Sequence, residues 1–296
     1  MAGLVQRGYA IRPVSRRHFI GAAAAGALAA PVIIARAATP ATFGLTPVFL
    51  DSDLELLTVL ETYLSESVGR EVSLVKRRTY QEMTALLLSG QIDAAWICGF
   101  PYVQYRDRLS LVAIPIYQGQ GRYQSYIIVN AGDSAQSIND LRGKVHAFSD
   151  PDSNSGFLVT RHLLATMGET PTSFFSSSFY TYGHRNVIRA VAAGLAQSGS
   201  VDGYVWEVVA ELEPELTRQT RVIRKSEWLG FPPVACNRNY ESSPNVRGLS
   251  HALLTMADHP HGKKVLGMLR LDRFGAPDDG LFDEIAAKYE FVRKQV

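Results

Sequence analysis

Residues 148–158 read FSDPDSNSGFL, and the centre of the run, Asp150-Pro151-Asp152-Ser153-Asn154-Ser155-Gly156, sets turn formers and small hydrogen-bonding side chains just ahead of an apolar helical segment. The first N–H groups of a helix have no acceptor within it, and the helix dipole is positive there. Small donors and a glycine at such a point can cradle an anion. Ser and Asn also serve as plain helix caps, and this stretch taken alone supports both readings. The other reactive types fall into no catalytic pattern: there is no H-E-x-x-H, C-x-x-C, G-x-S-x-G or G-x-x-x-x-G-K-[ST] spacing. His259-Pro260-His261 falls in an exposed turn. No metal, cofactor or catalytic residue is expected, and an anion cradle without base, nucleophile or metal reads as a receptor. An enzyme is the competing class, and turnover of phosphate or phosphonate esters separates the two.

The elements that must carry this loop follow an α/β rhythm. Strands are expected at Thr42–Phe49, Val72–Lys76, Ile92–Cys98, Leu111–Ile116 and Tyr126–Val129, with helices at Asp53–Ser67 and Tyr80–Ser89. The first helix sets Leu56, Leu57, Leu60 and Leu64 on one face. After Asn130 the rhythm restarts, with a short helix at Ser137–Leu141, a strand at Val145–Phe148, helices at Gly156–Met167 and His184–Ala196, and a strand at Val201–Val205. Pro232-Pro233-Val234-Ala235-Cys236 then returns the chain, and helices near His251–Met256, Lys263–Leu269 and Leu281–Arg293 complete it. This divides the chain into one lobe of residues 38–130 and 232–296 and a second of 131–231. Two crossings make a hinge, and the cleft between the lobes, where strand ends and helix N-termini converge, is the expected site.

Composition narrows the partners. Residues 1–37 hold five of the 30 basic residues and none of the 28 acidic ones, so the remainder is acidic by three and offers no basic patch for nucleic acid. That first segment has a charged region ending in Ser15-Arg16-Arg17-His18-Phe19-Ile20, an apolar run from Gly21 to Ile34, and a small-x-small Ala35-Arg36-Ala37. It reads as a twin-arginine export signal cleaved near Ala37, with the general export route as the alternative, which places the product in the periplasm. Cys98 and Cys236 are too few for a disulfide-built fold. They are bridged, buried as thiols, or in part ligand-facing, and the sequence does not choose among these.

The run from Asp150 to Val159 resembles the anion-gripping loop of the PhnD-like family, the periplasmic phosphonate/phosphate/phosphite-binding proteins of ABC transporters. Gly69-Arg70-Glu71-Val72, Tyr80 with Leu88, Gly90 and Ile92-Asp93-Ala94-Ala95-Trp96, Gly121 to Val129, and Gly183-His184-Arg185-Asn186 resemble further segments of that family in the same order. The resemblance implies a type II periplasmic-binding-protein fold that closes on its ligand without chemistry. It also implies a monomer that captures a small oxyanion and presents it to an ABC permease and ATPase. In the alternative, the same fold feeds a membrane histidine kinase. Carried over by position, Ser153, Asn154, Ser155 and a protonatable His184 hold the anion from the second lobe, and Tyr80 and Tyr123 reach it from the first lobe and the hinge. Arg185 reads as a solvated or steering charge. Phe231 stands where the family's phosphonate binders carry an Asp for the ligand's amino group, which argues for phosphate, phosphite or a methylated analogue. Glu207 is a replacement carboxylate or a plain helix-surface residue. Cys98 departs from the pattern and suggests arsenite as a minority ligand, and Tyr102 is a further pocket candidate.

Overall fold

The computed structural model describes residues 40–46 and 54–295. The export segment read from the sequence therefore lies outside the described residues, as does the end of the first expected strand. Among the described residues, thirteen strands form two larger sheets and one short pair. They are β1 (Ala41–Leu45), β2 (Val72–Lys76), β3 (Ala94–Trp96), β4 (Leu109–Ile116), β5 (Arg122–Tyr123), β6 (Ser125–Asn130), β7 (Val145–Phe148), β8 (Ser177–Tyr180), β9 (Ser198–Asp202), β10 (Thr220–Lys225), β11 (Leu229–Gly230), β12 (Val234–Asn237) and β13 (Arg273–Gly275). No helix among them is long and apolar enough to cross a membrane.

The first sheet runs β13-β4-β12-β3-β1-β2. Its β1, β2 and β3 are parallel, with Phe43 opposite Leu74 and Ala94. The returning strand β12 enters antiparallel between β3 and β4, pairing Ala235 with Ala95 and with Leu111. The central β3 and β12 are buried throughout, whereas the edge strand β2 is largely half-buried. The second sheet runs β10-β6-β9-β7-β8. Its β7, β8 and β9 are parallel, and β6 lies antiparallel between β9 and β10.

Two boundaries differ from the sequence reading. β6 was expected in the first lobe, yet its hydrogen bonds all go to the second sheet, so the chain crosses before Ser125. A strand was expected over Val201–Val205, but β9 ends at Asp202 and the helix Gly203–Leu212 begins at once. Asp202 causes the switch: its Oδ1 accepts the Val205 N–H at 3.2 Å, capping a helix whose apolar run carries no visible period. Between the sheets the chain passes twice, through β5 and β11, which pair antiparallel as Tyr123 with Leu229 and Arg122 with Gly230.

Candidate functional site

Tyr80 opens the helix Tyr80–Leu88. Thr79 caps it through the Glu82 N–H, and Glu82 Oε2 accepts the Thr79 N–H in return, a reciprocal box that fixes where the helix starts. The Tyr80 N–H, free of any intrahelical acceptor, donates to Asp150 Oδ2 at 3.2 Å, from an element packed on the first sheet to the loop after β7. Asp150 Oδ1 meanwhile accepts the Asp152 N–H at 2.8 Å, which folds the loop. Burial raises the Asp150 carboxyl above its ordinary value, against the lowering pull of these two N–H donors.

The loop then enters its helix differently from the sequence expectation. Gly156 was read as the first helical residue, whereas Ser153 is the cap and Asn154–Leu158 forms a wide π-type turn that continues into the helix Val159–Thr166. Ser153 Oγ accepts the Gly156 N–H at 2.9 Å, and the Leu158 N–H reaches back to the Ser153 carbonyl. Such turns are uncommon and concentrate at functional sites. A Cβ on Gly156 would lie 1.8 Å from Ser149 Oγ, so the glycine admits the buried Ser149 hydroxyl. Ser149 Oγ and Asn154 Oδ1 are buried and have no hydrogen-bond partner.

Asn154 is where the two halves meet. Its N–H donates to Cys98 Sγ at 3.2 Å, and its Nδ2 donates to Tyr123 Oη at 2.9 Å. Cys98 sits just after β3, ahead of the helix Gly99–Gln104. It and Cys236 are both free and buried, so the bridged alternative does not hold. Burial raises the Cys98 thiol to about 12, opposed by the N–H groups of Asn154 and Phe100, so it stays protonated at neutral pH. Tyr123 Oη lies within reach of both Ser155 and Asn154. The Tyr123 ring packs 5.6 Å from Phe231, which also meets Tyr204 at 5.1 Å and is fully buried.

His184 opens the helix His184–Ala192. Its Nδ1 accepts the Asp202 N–H at 3.1 Å, so in the neutral ring Nε2 carries the proton and donates to Tyr80 Oη at 3.3 Å. Burial lowers its pKa to about 3, so the protonatable imidazole of the sequence reading is neutral here and works as a donor that leaves the Tyr80 hydroxyl proton free to point elsewhere. Burial also pushes the Asp202 carboxyl up to about 7, against the N–H bonds of Val205 and Tyr204.

Tyr80, Cys98, Tyr123, Ser153, Asn154, Ser155 and His184 are thus brought together, with Phe231 behind Tyr123. Tyr102 is not: its hydroxyl is held by Asp279, and its ring packs edge-on against Phe282 at 4.9 Å. Arg185 pairs with Glu213 at 2.5 Å. Glu207 accepts the hydroxyls of Tyr126 at 2.5 Å and Tyr117 at 3.3 Å and so is already occupied. Sequence reasoning missed Ser149 and Asp202 as neighbours of the site. The Asp-Gly step at 202–203 was the available signal for the last of these.

Among the described residues, one group outside the site has metal-ligand chemistry: single donor atoms of Glu66, His259 and His261 lie within 4.8 Å of one another. However, His259 Nδ1 accepts the His261 N–H at 3.2 Å, which puts the ring proton on Nε2, the nitrogen facing Glu66 at 3.8 Å. That tautomer does not ligate a cation through Nε2.

Comparison with known proteins agrees with this architecture. The phosphate-import protein PhnD of Mycolicibacterium smegmatis is 25% identical over 187 residues, which cover 59% of this chain and 58% of that protein, less than two thirds of its length. Among solved structures, a binding-protein component of an ABC phosphonate transporter from Pseudomonas aeruginosa superposes with a TM-score of 0.79 at 22% identity, covering 86% of this chain and 87% of the other. PhnD1 from Prochlorococcus marinus in complex with methylphosphonate gives 0.75 at 19%, over 86% and 97% of the two chains. The family model described as "ABC transporter, phosphonate, periplasmic substrate-binding protein" matches residues 43–282. With two α/β lobes joined by a double crossing in the type II periplasmic-binding-protein fold, the chain belongs to the family of phosphonate periplasmic substrate-binding proteins of ABC transporters.

Proposed function

We propose that this protein captures a small phosphorus oxyanion in the periplasm and delivers it to an ABC transporter. The observation that carries the reading is the buried meeting of Asn154 with Cys98 and Tyr123, and of His184 with Tyr80, across the join between the two sheets. Both tyrosine hydroxyls accept a hydrogen bond there and keep a proton to give. Closure of the lobes over a ligand would bury those donors with it, and a buried donor without an acceptor is costly, so the closed form favours an anion between them.

The preferred ligand is compact: phosphate, phosphite or methylphosphonate. Phe231 closes the position behind Tyr123 with an aromatic ring, and Glu207 is already paired with two tyrosines, so neither position offers a carboxylate to a ligand amine. Export by the twin-arginine route with cleavage near Ala37, and action as a monomer without turnover, complete the proposal. The twin-arginine reading rests on Ser15-Arg16-Arg17-His18-Phe19-Ile20.

Calorimetric titration of the protein with phosphate, phosphite, methylphosphonate and aminoethylphosphonate tests the proposal. Saturable binding of at least one of the first three is expected, tighter than for aminoethylphosphonate. Tyr123→Phe and Asn154→Leu are each expected to weaken it about tenfold or more. Failure of all four ligands to bind, or hydrolysis of a phosphate or phosphonate ester by the protein, sinks the reading.

A further inference from the structure

We propose that the site takes its oxyanion as the monoanion, with a ligand P–OH donating to Asn154 Oδ1. This rests on the oxyanion reading above and adds the protonation state that the site selects.

The argument is a count of donors and acceptors. Asn154 is fully buried. Its N–H goes to Cys98 Sγ and its Nδ2 to Tyr123 Oη, while Oδ1 has no donor. An amide oxygen only accepts, and so do the bare oxygens of a fully ionised oxyanion. A phosphite or methylphosphonate dianion would therefore leave Oδ1 as lonely as before, next to a second acceptor, whereas the phosphate dianion keeps one P–OH and is disfavoured by its charge. One ligand hydroxyl satisfies it. The other ligand oxygens are then left to the hydroxyls of Tyr80 and Tyr123, which can donate.

The surrounding charge points the same way. Tyr80, Cys98 and Tyr123 are neutral at physiological pH because burial raises all three. His184 is neutral, and the carboxyls that act on these groups are Asp150 and Asp202, with Asp152 beside Asp150. Of the other elements packed against the turn, β6 brings Tyr126, bonded to Glu207. The helix Asp283–Arg293 brings the buried Lys288, whose ammonium is paired with Glu227. The helix Val159–Thr166 brings Arg161, whose guanidinium lies over the Phe157 ring, and His162, whose pKa burial lowers; among the described residues the charges that act on Tyr80, Cys98 and Tyr123 are the carboxyls of Asp150 and Asp202. A second negative charge on the ligand would be repelled by them in a site from which water is excluded.

The test follows the ligand's own ionisation. Phosphate, phosphite and methylphosphonate lose their second proton at different pH values near neutrality. Binding of each is measured by calorimetry from about pH 6 to about pH 9, in buffers of differing protonation enthalpy. Above its second ionisation each ligand is expected to bind about tenfold more weakly per pH unit and to take up about one proton on binding. The midpoint should move with the ligand. Sulfate, a dianion with no proton to give, should bind about a hundredfold more weakly than phosphate, and Asn154→Ala should narrow that gap about tenfold. Affinity that is flat or rises with pH, or a midpoint shared by all three ligands and so belonging to a protein group, overturns the inference while leaving the oxyanion reading intact. So does the opposite orientation of the Asn154 amide, which would place a donor at the ligand and favour the dianion. Absence of binding at every pH overturns both.

Discussion

Two histidines of the second sheet are equally buried and equally neutral, yet they do different things. His146 on β7 and His184 at the start of its helix are both removed from solvent, and burial lowers each pKa to about 3. His146 completes its bonding at home: Nδ1 meets Ser198 Oγ at 2.7 Å, Nε2 meets Ser200 Oγ at 2.8 Å, and its ring stacks on Phe175 at 4.4 Å. His184 bonds one nitrogen within its own lobe, to the Asp202 N–H, and offers the other to Tyr80, which packs on the first sheet. Burial and a perturbed pKa therefore do not mark the site. What marks it is a partner on the far side of the hinge, beside buried acceptors and hydroxyls that have no partner at all.

The comparison breaks first under acid. An unfolded imidazole takes its proton near 6.5 and these take theirs only near 3, so between those values the unfolded chain binds more protons and stability falls as pH falls. Asp202 acts in the opposite sense, being raised to about 7 from 3.8. Its contribution is present below 3.8 and is lost as pH rises through about 7, so it offsets one histidine over the shared window. The net expectation from these three groups is a loss of about 1.4 kcal/mol per pH unit, or on the order of 3 to 4 kcal/mol between pH 6.5 and pH 4. Denaturant melts across that range check it, and His146→Gln should flatten the slope by about one proton.

At neutral pH the two positions should separate cleanly. His146→Ala leaves a cavity beside Phe175 and removes a partner from each of two buried serines, at a cost of about 3 kcal/mol in denaturant unfolding. Ligand affinity per folded molecule should stay within about twofold. Tyr80→Phe should reverse that pattern. It removes the hydroxyl that links His184 to the proposed ligand, so affinity for phosphate or methylphosphonate should fall about tenfold, near 1.4 kcal/mol. A Tyr80→Phe protein that binds as tightly as the parent would dissolve the distinction drawn here.

The same contrast explains what could be read from the sequence. Ser153-Asn154-Ser155-Gly156 was legible because cap and cradle chemistry is local, and β2 and β7 were legible as short β-branched or apolar runs between helical stretches. The lobe membership of β6 was not, since pairing partners roughly seventy to a hundred residues away decide it. Asp202 was hidden because Val201 to Val205 is apolar enough for a strand, and only the cap at Asp202 ends it. The neutrality of His184 was equally hidden, because desolvation depends on everything packed around the ring. Arg185, one residue on, shows how little sequence adjacency counts: it ends in an ion pair with Glu213.

Tyr102 supplies the smallest effect and the sharpest control. Like Tyr80 it is a buried tyrosine of the first lobe, and the sequence reading made both pocket candidates, Tyr80 through the family resemblance and Tyr102 as a further one. Its hydroxyl, however, is held by Asp279, which Arg106 also binds through Nε at 2.9 Å, and burial followed by Asp279 raises its pKa. Every bond it makes stays within residues that pack on the first sheet, as His146's bonds stay within the second. Asp279 keeps Arg106 and solvent when the tyrosine hydroxyl is removed, so Tyr102→Phe should cost only about 1 kcal/mol in denaturant unfolding. It should leave oxyanion affinity unchanged at every pH. A loss of affinity in this variant without a matching loss in Tyr80→Phe would move the binding surface away from the Asn154 junction and toward the Tyr102 side of the fold.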